Sequence, residues 1–230
     1  MLKIKKAEKK IVFFDFDGVI ADSFDVVFWI NNDSRVKTKD DFANLFDGNI
    51  NDWKKDASYG PDEIKKIDDE FFARYISKMG EVKVFPGMKE TARELAGSYT
   101  LIIISSMLAS LVKDFLERND MLRYFEEFEG DNVVYANKTE RIKKVFKKYG
   151  IGPKDCVFIT DTLGDMREAS SCGVSSIGVA WGFQKKENLL GAKPFKIVEN
   201  PKELILAVYD YFKTLELPGL SIAGTRGERK

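Results

Sequence analysis

A chain of 230 residues with 37 basic and 37 acidic side chains carries no formal net charge. That balance gives no electrostatic case for nucleic acid as a partner, and the length allows one sizeable core plus a small insertion. Histidine is absent, which removes Ser-His-Asp and Cys-His mechanisms and histidine-held zinc, and leaves proton transfer to carboxylates.

The basic stretch Lys3 to Lys10 is not followed by a signal-type apolar segment with a cleavage site, and no run is long enough to span a bilayer. No membrane is expected as a partner, and a cytoplasmic address is the expectation. Next comes Ile11-Val12-Phe13-Phe14, too short for a helix, ending in Asp15-Phe16-Asp17-Gly18. This reads as a buried strand that delivers two carboxylates to its carboxyl end, where Gly18 permits a sharp turn. Open α/β sheets bind ligands at that edge. Two acids there repel unless a cation or a shared proton relieves them. A calcium loop fits poorly, because the glycine stands fourth rather than sixth and apolar residues follow.

From residue 21 to 82 the character becomes helical. One helix is expected over Phe24 to Ile30, a second after Thr38 with Phe42, Leu45 and Phe46 on one face, and a third near Trp53. Pro61 opens a longer one bearing Ile64, Ile67, Phe71, Tyr75 and Ile76 at three- and four-residue spacing. The aromatics of this segment read as its own core. Strands near 100–105, 125–128, 156–160 and 175–180 then alternate with helices, the pattern of a parallel sheet. Leu101 to Ile104 ends in Ser105-Ser106, which could cap the helix marked by Leu108, Leu111, Val112 and Phe115. Lys138 to Tyr149 is a lysine-rich helix whose inner face is Ile142, Val145, Phe146 and Tyr149. Cys156 to Thr160 ends in Asp161, with Asp165 four residues on and placed to cap the following helix. Cys156 and Cys172 read as small core residues rather than a disulfide. A last helix covers about 201–215, and 216–230 is expected to be a disordered tail.

If the two acidic strand ends are neighbours, four carboxylates converge. Such an all-oxygen cluster suits a hard cation, Mg²⁺ above all, with a phosphate as co-ligand. These segments, in this order, resemble the haloacid dehalogenase-like hydrolase superfamily, in the phosphatase branch that includes phosphoglycolate phosphatases. Asp15-Phe16-Asp17-Gly18-Val19-Ile20 resembles its first motif, with Val19 where many members have Thr, and Asp22-Ser23 matches the pair that often follows. Leu101 to Ser106 resembles the second motif, Lys138 the third, and Asp161 with Asp165 the fourth, with Thr160 in place of a common Gly. The match continues through Ala169, Gly173 and Gly178 to Phe183.

The resemblance implies a Rossmann-like α/β fold: core 1–20 and 83–215, with a helical cap inserted at 21–82. It implies Asp15 as nucleophile and Asp17 as general acid and base. Mg²⁺ would be held by Asp15, the main-chain carbonyl of Asp17 and Asp161, with Asp165 a direct or water-mediated partner. Ser105, Ser106 and Lys138 would hold phosphate oxygens, Lys138 being singled out by its place at the amino end of its helix. Asn49 and Trp53 are candidates for substrate choice. The implied partner is a small phosphorylated metabolite, phosphoglycolate first, then sugar phosphates and nucleotides.

Asp17 argues against the dehalogenase branch, because a halide leaves without a proton. A phosphonatase would need a cap amine, for which Lys54 and Lys55 are weak candidates. A phosphosugar mutase uses the same four motifs and differs in keeping water out. A silent phosphate-binding regulatory protein is the remaining alternative, and such proteins usually lose one of the acids.

Overall fold

A computed structural model describes residues 9–31, 38–52, 58–130 and 137–216. In chain order the elements are β1 (Ile11–Phe14), β2 (Ala21–Asp22), α1 (Phe24–Asn31), α2 (Lys39–Asn44), α3 (Pro61–Lys78), β3 (Lys83–Val84), α4 (Met88–Ala96) and β4 (Thr100–Ile104). They continue with α5 (Ala109–Arg118), β5 (Glu127–Glu129), α6 (Lys138–Tyr149), β6 (Cys156–Thr160), α7 (Leu163–Ser171), β7 (Ser175–Val179), α8 (Lys186–Leu189), β8 (Lys196–Val198) and α9 (Pro201–Glu216). The main sheet has the order β5-β4-β1-β6-β7-β8, every pairing parallel. This is the expected Rossmann-like α/β core flanked by helices.

Parallel strands covered on both faces need apolar side chains in both directions, and β1 supplies them: all four of its residues are fully buried. Ile11 and Phe13 join Ile102, Ile104, Phe158 and the inner face of α6 on one side of the sheet. Val12 and Phe14 join Leu101, Ile103, Val157 and Ile159 with α4, α5 and α9 on the other. The chain leaves β1 towards β4 and β5, then crosses to β6 on the opposite flank. The carboxyl ends of β1, β4 and β6 therefore meet where strand order reverses, the place such sheets bind ligands.

The described residues between β2 and β3 are mostly helical. The two strands pair antiparallel, Ala21 with Val84 and Asp22 with Lys83, so the chain enters and leaves this segment side by side. Thr38 starts α2 with a reciprocal capping box: Asp41 N–H donates to Thr38 Oγ1, and Thr38 N–H to the Asp41 carboxylate, both at 3.1 Å. The helix then tightens to a 3-10 turn over Leu45–Asp47. That change of winding carries Leu45, expected on the apolar face, out to solvent at 46% exposure. Ile76 is likewise exposed, while Ile64 and Tyr75 form the buried face of α3.

Gly164 sits at close quarters with this segment, since a Cβ there would lie 2.2 Å from the carbonyl oxygen of Gly48. Gln184 fastens the same contact. Its Oε1 accepts from Leu163 N–H at 2.6 Å, and its Nε2 donates to Ala43 O and Asp47 Oδ1.

Two helix starts differ from expectation. Thr162, not Asp165, caps α7, accepting from Asp165 N–H; Asp165 lies inside the first turn. Ser105 and Ser106 do not cap α5, which begins at Ala109 after Leu108 with no side-chain cap. Ser105 Oγ instead accepts from Met107 N–H at 3.0 Å and shapes the turn before it. The strand expected at 125–128 runs over Glu127–Glu129. Cys156 is buried, Cys172 half-buried, and both are free thiols. The helix expected near Trp53 and nearly all of the 216–230 tail lie outside the described residues; Glu216 itself closes α9.

Candidate active site

The turn after β1 is built from its own backbone. The carbonyl of Phe16 accepts from Ile20 and Ala21 N–H at 2.9 and 3.0 Å, and Gly18 N–H donates to Ala21 O. Gly18 adopts φ 74°, and a Cβ there would fall 1.9 Å from Asp161 Oδ2. Both the dihedral and the space demand glycine. The turn aims Asp15 and Asp17 at the same cavity but gives them different company.

Asp15 is buried and anchored by Phe16 N–H to Oδ1 at 2.7 Å. Its Oδ2 accepts from Lys138 Nζ at 2.6 Å, and the same ammonium reaches Asp165 Oδ2 at 2.6 Å. Lys138 heads α6 and is almost wholly buried. Burial alone would lower its pKa, but Asp15 and Asp165 win and hold it above the ordinary lysine value. Burial raises Asp15 well above the usual carboxylate range; Lys138 opposes this, while Asp165 and Asp161 add to it. Burial also works against ionised Asp165, yet Lys138 and its hydrogen bonds bring that group below its ordinary value. Thr160 Oγ1 also donates to Asp165 Oδ2 at 3.1 Å. The hydroxyl that stands where relatives of the resembled family often have glycine therefore supports the acid.

Asp17 faces neutral donors. Ser23 Oγ donates to its Oδ1 at 2.6 Å and the Tyr75 hydroxyl at 3.0 Å. Burial raises its pKa, and these two bonds only soften the rise. Tyr75 comes from α3 and is fully buried, so its hydroxyl needs this partner. Tyr75→Phe leaves Asp17 one donor short. We expect kcat to fall by up to about tenfold, the worth of one neutral hydrogen bond, with less effect on KM. An unchanged kcat in steady-state assays would contradict that coupling.

Asp161, at the end of β6, is fully buried. Burial pushes its pKa up to about 7 against the lowering effect of the Phe183 amide, which donates to Oδ2 at 2.7 Å. Its Oδ1 has no hydrogen-bond partner among the described residues. An unpartnered buried carboxylate oxygen is costly and asks for a positive charge. Among the described residues no three acidic groups form a closed metal cage. A hard cation such as Mg²⁺ needs none, since it takes one or two carboxylates and completes its shell with water and phosphate oxygens. Asp15, the Asp17 carbonyl and the free oxygen of Asp161 fit that role.

Ser105 and Ser106, after β4, line the same cavity as Asp15, Asp17, Lys138, Asp161 and Asp165, and its volume is about 190 Å³. Eight of the nine residues expected at the site are thus described in one place or beside it. Asn49 donates its amide to the Glu168 carboxylate and neighbours the lining Ile50. Trp53 lies outside the described residues.

Glu168 itself was not expected. Its carboxylate accepts from Lys138 N–H at 2.7 Å and Thr139 N–H at 3.3 Å, so α7 caps the start of α6 and sets the height of Lys138. Burial raises the pKa of Glu168. Arg141, one turn along, donates to Ser105 O and ties α6 to the turn after β4. The spacing of Asp165 and Glu168, one helical turn apart, was the available sign that both face α6.

The family model for haloacid dehalogenase-like hydrolases matches residues 12–179. A phosphoglycolate phosphatase of Synechococcus elongatus is 24% identical over 204 residues, covering 86% of this chain and 96% of that protein. A predicted phosphatase from Clostridium acetobutylicum superposes with TM-score 0.73 at 22% identity, over 88% of this chain and 99% of that one. CbbY from Rhodobacter sphaeroides, solved with phosphate, gives TM-score 0.65 at 16% identity, over 85% and 96%. At these identities the structural matches speak for the fold.

Proposed function

The chain belongs to the haloacid dehalogenase-like hydrolase family and is a hydrolase of the phosphatase kind, and we propose that it cleaves a small phosphomonoester by passing the phosphoryl group through Asp15. One observation carries the division of labour. Two residues apart on one strand end, Asp15 faces the charged Lys138 while Asp17 faces only the neutral hydroxyls of Ser23 and Tyr75 at hydrogen-bond distance. A carboxylate held against a cation suits attack, and one held by neutral donors suits carrying a proton.

In the first half-reaction an oxygen of Asp15 bonds to phosphorus as the ester P–O bond breaks, and Asp17 gives its proton to the departing alkoxide. In the second, Asp17 takes a proton from water, the water oxygen bonds to phosphorus, and the acyl-phosphate P–O bond breaks to free Asp15 and inorganic phosphate. Lys138, Ser105 and Ser106 orient the phosphate oxygens. Asp15, the Asp17 carbonyl and Asp161, with Asp165 near, would hold Mg²⁺, which would supply the charge neutralisation that lets two anions meet. Four carboxylates against one lysine at the floor of the cavity support that need among the described residues.

The segment 21–82 would act as a cap over this floor, with 1–20 and 83–215 as core. The two free thiols agree with a reducing, cytoplasmic setting. Among the described residues, no helix is long and apolar enough to cross a membrane.

Phosphate release from a panel of phosphomonoesters, phosphoglycolate and sugar phosphates included, tests the proposal. Release is expected with Mg²⁺, is lost on chelation with EDTA and returns on adding excess Mg²⁺. Release that persists unchanged in EDTA contradicts the metal assignment. No release from any ester by folded, Mg²⁺-loaded protein contradicts the phosphatase reading itself.

A further inference from the structure

Lys138 is held at both ends by one helix. Its ammonium reaches Asp165, and its main-chain N–H donates to the Glu168 carboxylate at 2.7 Å. Asp165 and Glu168 stand one turn apart on α7 and so share a face. A helix leaves its first N–H groups without partners inside the helix, and the start of α6 supplies them from outside. Glu168 Oε2 takes those of Lys138 and Thr139, and the Asn137 side chain takes that of Glu140 at 2.9 Å. Glu168 therefore fixes the point from which the lysine side chain projects to Asp15.

The other oxygen of Glu168 is held from a distant part of the chain. Oε1 accepts from the Asn49 side-chain amide, and Asn49 Oδ1 accepts from Asn51 N–H at 2.8 Å. Reversing the Asn49 amide would set its oxygen against a carboxylate and its NH2 against an N–H, so its two partners fix its orientation. Contacts on either side hold the pair together. Arg167 donates to Asp47 O at 2.6 Å, and Gly164 lets Gly48 lie against α7. Asn51 lines the cavity. Asn49 thus joins a stretch of the cavity wall to the carboxylate that anchors the lysine. We propose that Glu168 is a positioning residue acting through Lys138 and that Asn49 fixes it, so that the segment between β2 and β3 helps to place the lysine that meets phosphate. The inference rests on the phosphatase reading above, and it assigns Asn49 a positioning role in place of substrate choice.

Reversing the polarity of the Asn49–Glu168 pair tests this. Glu168→Gln keeps the shape and one oxygen for the two α6 amides, but turns an NH2 towards that of Asn49. Asn49→Asp sets two carboxylates face to face. Either change alone should weaken binding of inorganic phosphate to the full chain with Mg²⁺ about tenfold by calorimetry, the scale of a lost hydrogen bond to a charged group. Turnover of a phosphomonoester should fall in kcat on a similar scale. In the double variant the new amide can donate to the new carboxylate, and most of both losses should be recovered. Asn49→Ala, which removes the bond without adding a repulsion, should shift both readouts in the same direction if neither single variant folds. Thermal melting separates positioning from folding, because a purely structural contact lowers Tm and leaves phosphate affinity and kcat of the folded protein alone. Variants that change Tm only overturn this inference. So does a double variant that binds phosphate no better than the singles, and in both cases the phosphatase reading stands. Wild-type protein that neither binds phosphate nor releases it from any ester overturns both.

Discussion

Asp15→Asn is expected to abolish phosphate release, by about four orders of magnitude or more, while the protein remains folded. The reason is chemical. An amide oxygen is a poor nucleophile towards phosphorus and cannot form a stable acyl phosphate, so the covalent route is closed rather than slowed. The fold should persist because the substitution keeps volume and shape at a site where space is set by neighbours. One side-chain oxygen remains to accept either from Phe16 N–H or from Lys138. The donor left without an acceptor costs on the order of 1 kcal/mol or more. Loss of one of several mutually repelling buried carboxylates offsets it, since Asp165 and Asp161 both raise the pKa of Asp15. Thermal melting should therefore place the variant near the wild type, and substrate binding should survive. A variant that retains a tenth of wild-type turnover would mean that Asp15 is not the nucleophile.

The second large effect concerns stability as much as rate. Lys138→Met removes the ammonium that lies 2.6 Å from both Asp15 and Asp165, within a site where Asp15 and Lys138 are both buried. Removing one partner of a buried ion pair strands the other, at about 3–5 kcal/mol. For a chain of this size that corresponds to a fall in Tm of roughly 10 °C. Activity should also fall steeply, because a phosphate dianion would meet carboxylates without the lysine.

The deficit has a definite pH sign. Without the lysine both carboxylates titrate higher in the folded state than in the unfolded one. The folded state then holds the extra protons, stability falls as pH rises through their pKa values, and the gap from wild type narrows on acidification. Adding Asp165→Asn to the lysine variant should restore part of the stability and none of the activity. A Lys138→Met protein as stable as wild type from pH 5 to 8 would contradict the electrostatic account of this cluster.

Legibility in the sequence followed the length and burial of each element. β1, β4 and β6 are continuous apolar runs of four or five residues between polar ends, so both the strands and the acids or serines at their ends could be read directly. β2, β3 and β8 are two or three residues long, too short to show any period. The residues at strand ends and in the first turn of α6 that line one cavity could be singled out, because position along an element predicts which edge of the sheet it reaches. The residues that hold them were not. Tyr75 was read as packing, since its partner Asp17 lies 58 positions away and only the buried hydroxyl betrays the need for one. Glu168 and Gln184 were not singled out, because their partners lie far off in the chain, on α6 and in the segment around Asp47. Leu45 kept its apolar character in the sequence and lost its apolar position when the helix tightened into a 3-10 turn.

The phosphoryl group on Asp15 is the central claim, and trapping it is the direct test. Protein mixed with Mg²⁺ and a hydrolysable phosphomonoester, quenched in acid within a turnover and digested, should yield a peptide spanning Asp15 that carries one phosphoryl group. That adduct should disappear on treatment with hydroxylamine, as an acyl phosphate must, and should be absent from Asp15→Asn. Phosphate release under the same conditions with no acyl phosphate on that peptide, or with the group on another residue, would contradict the account.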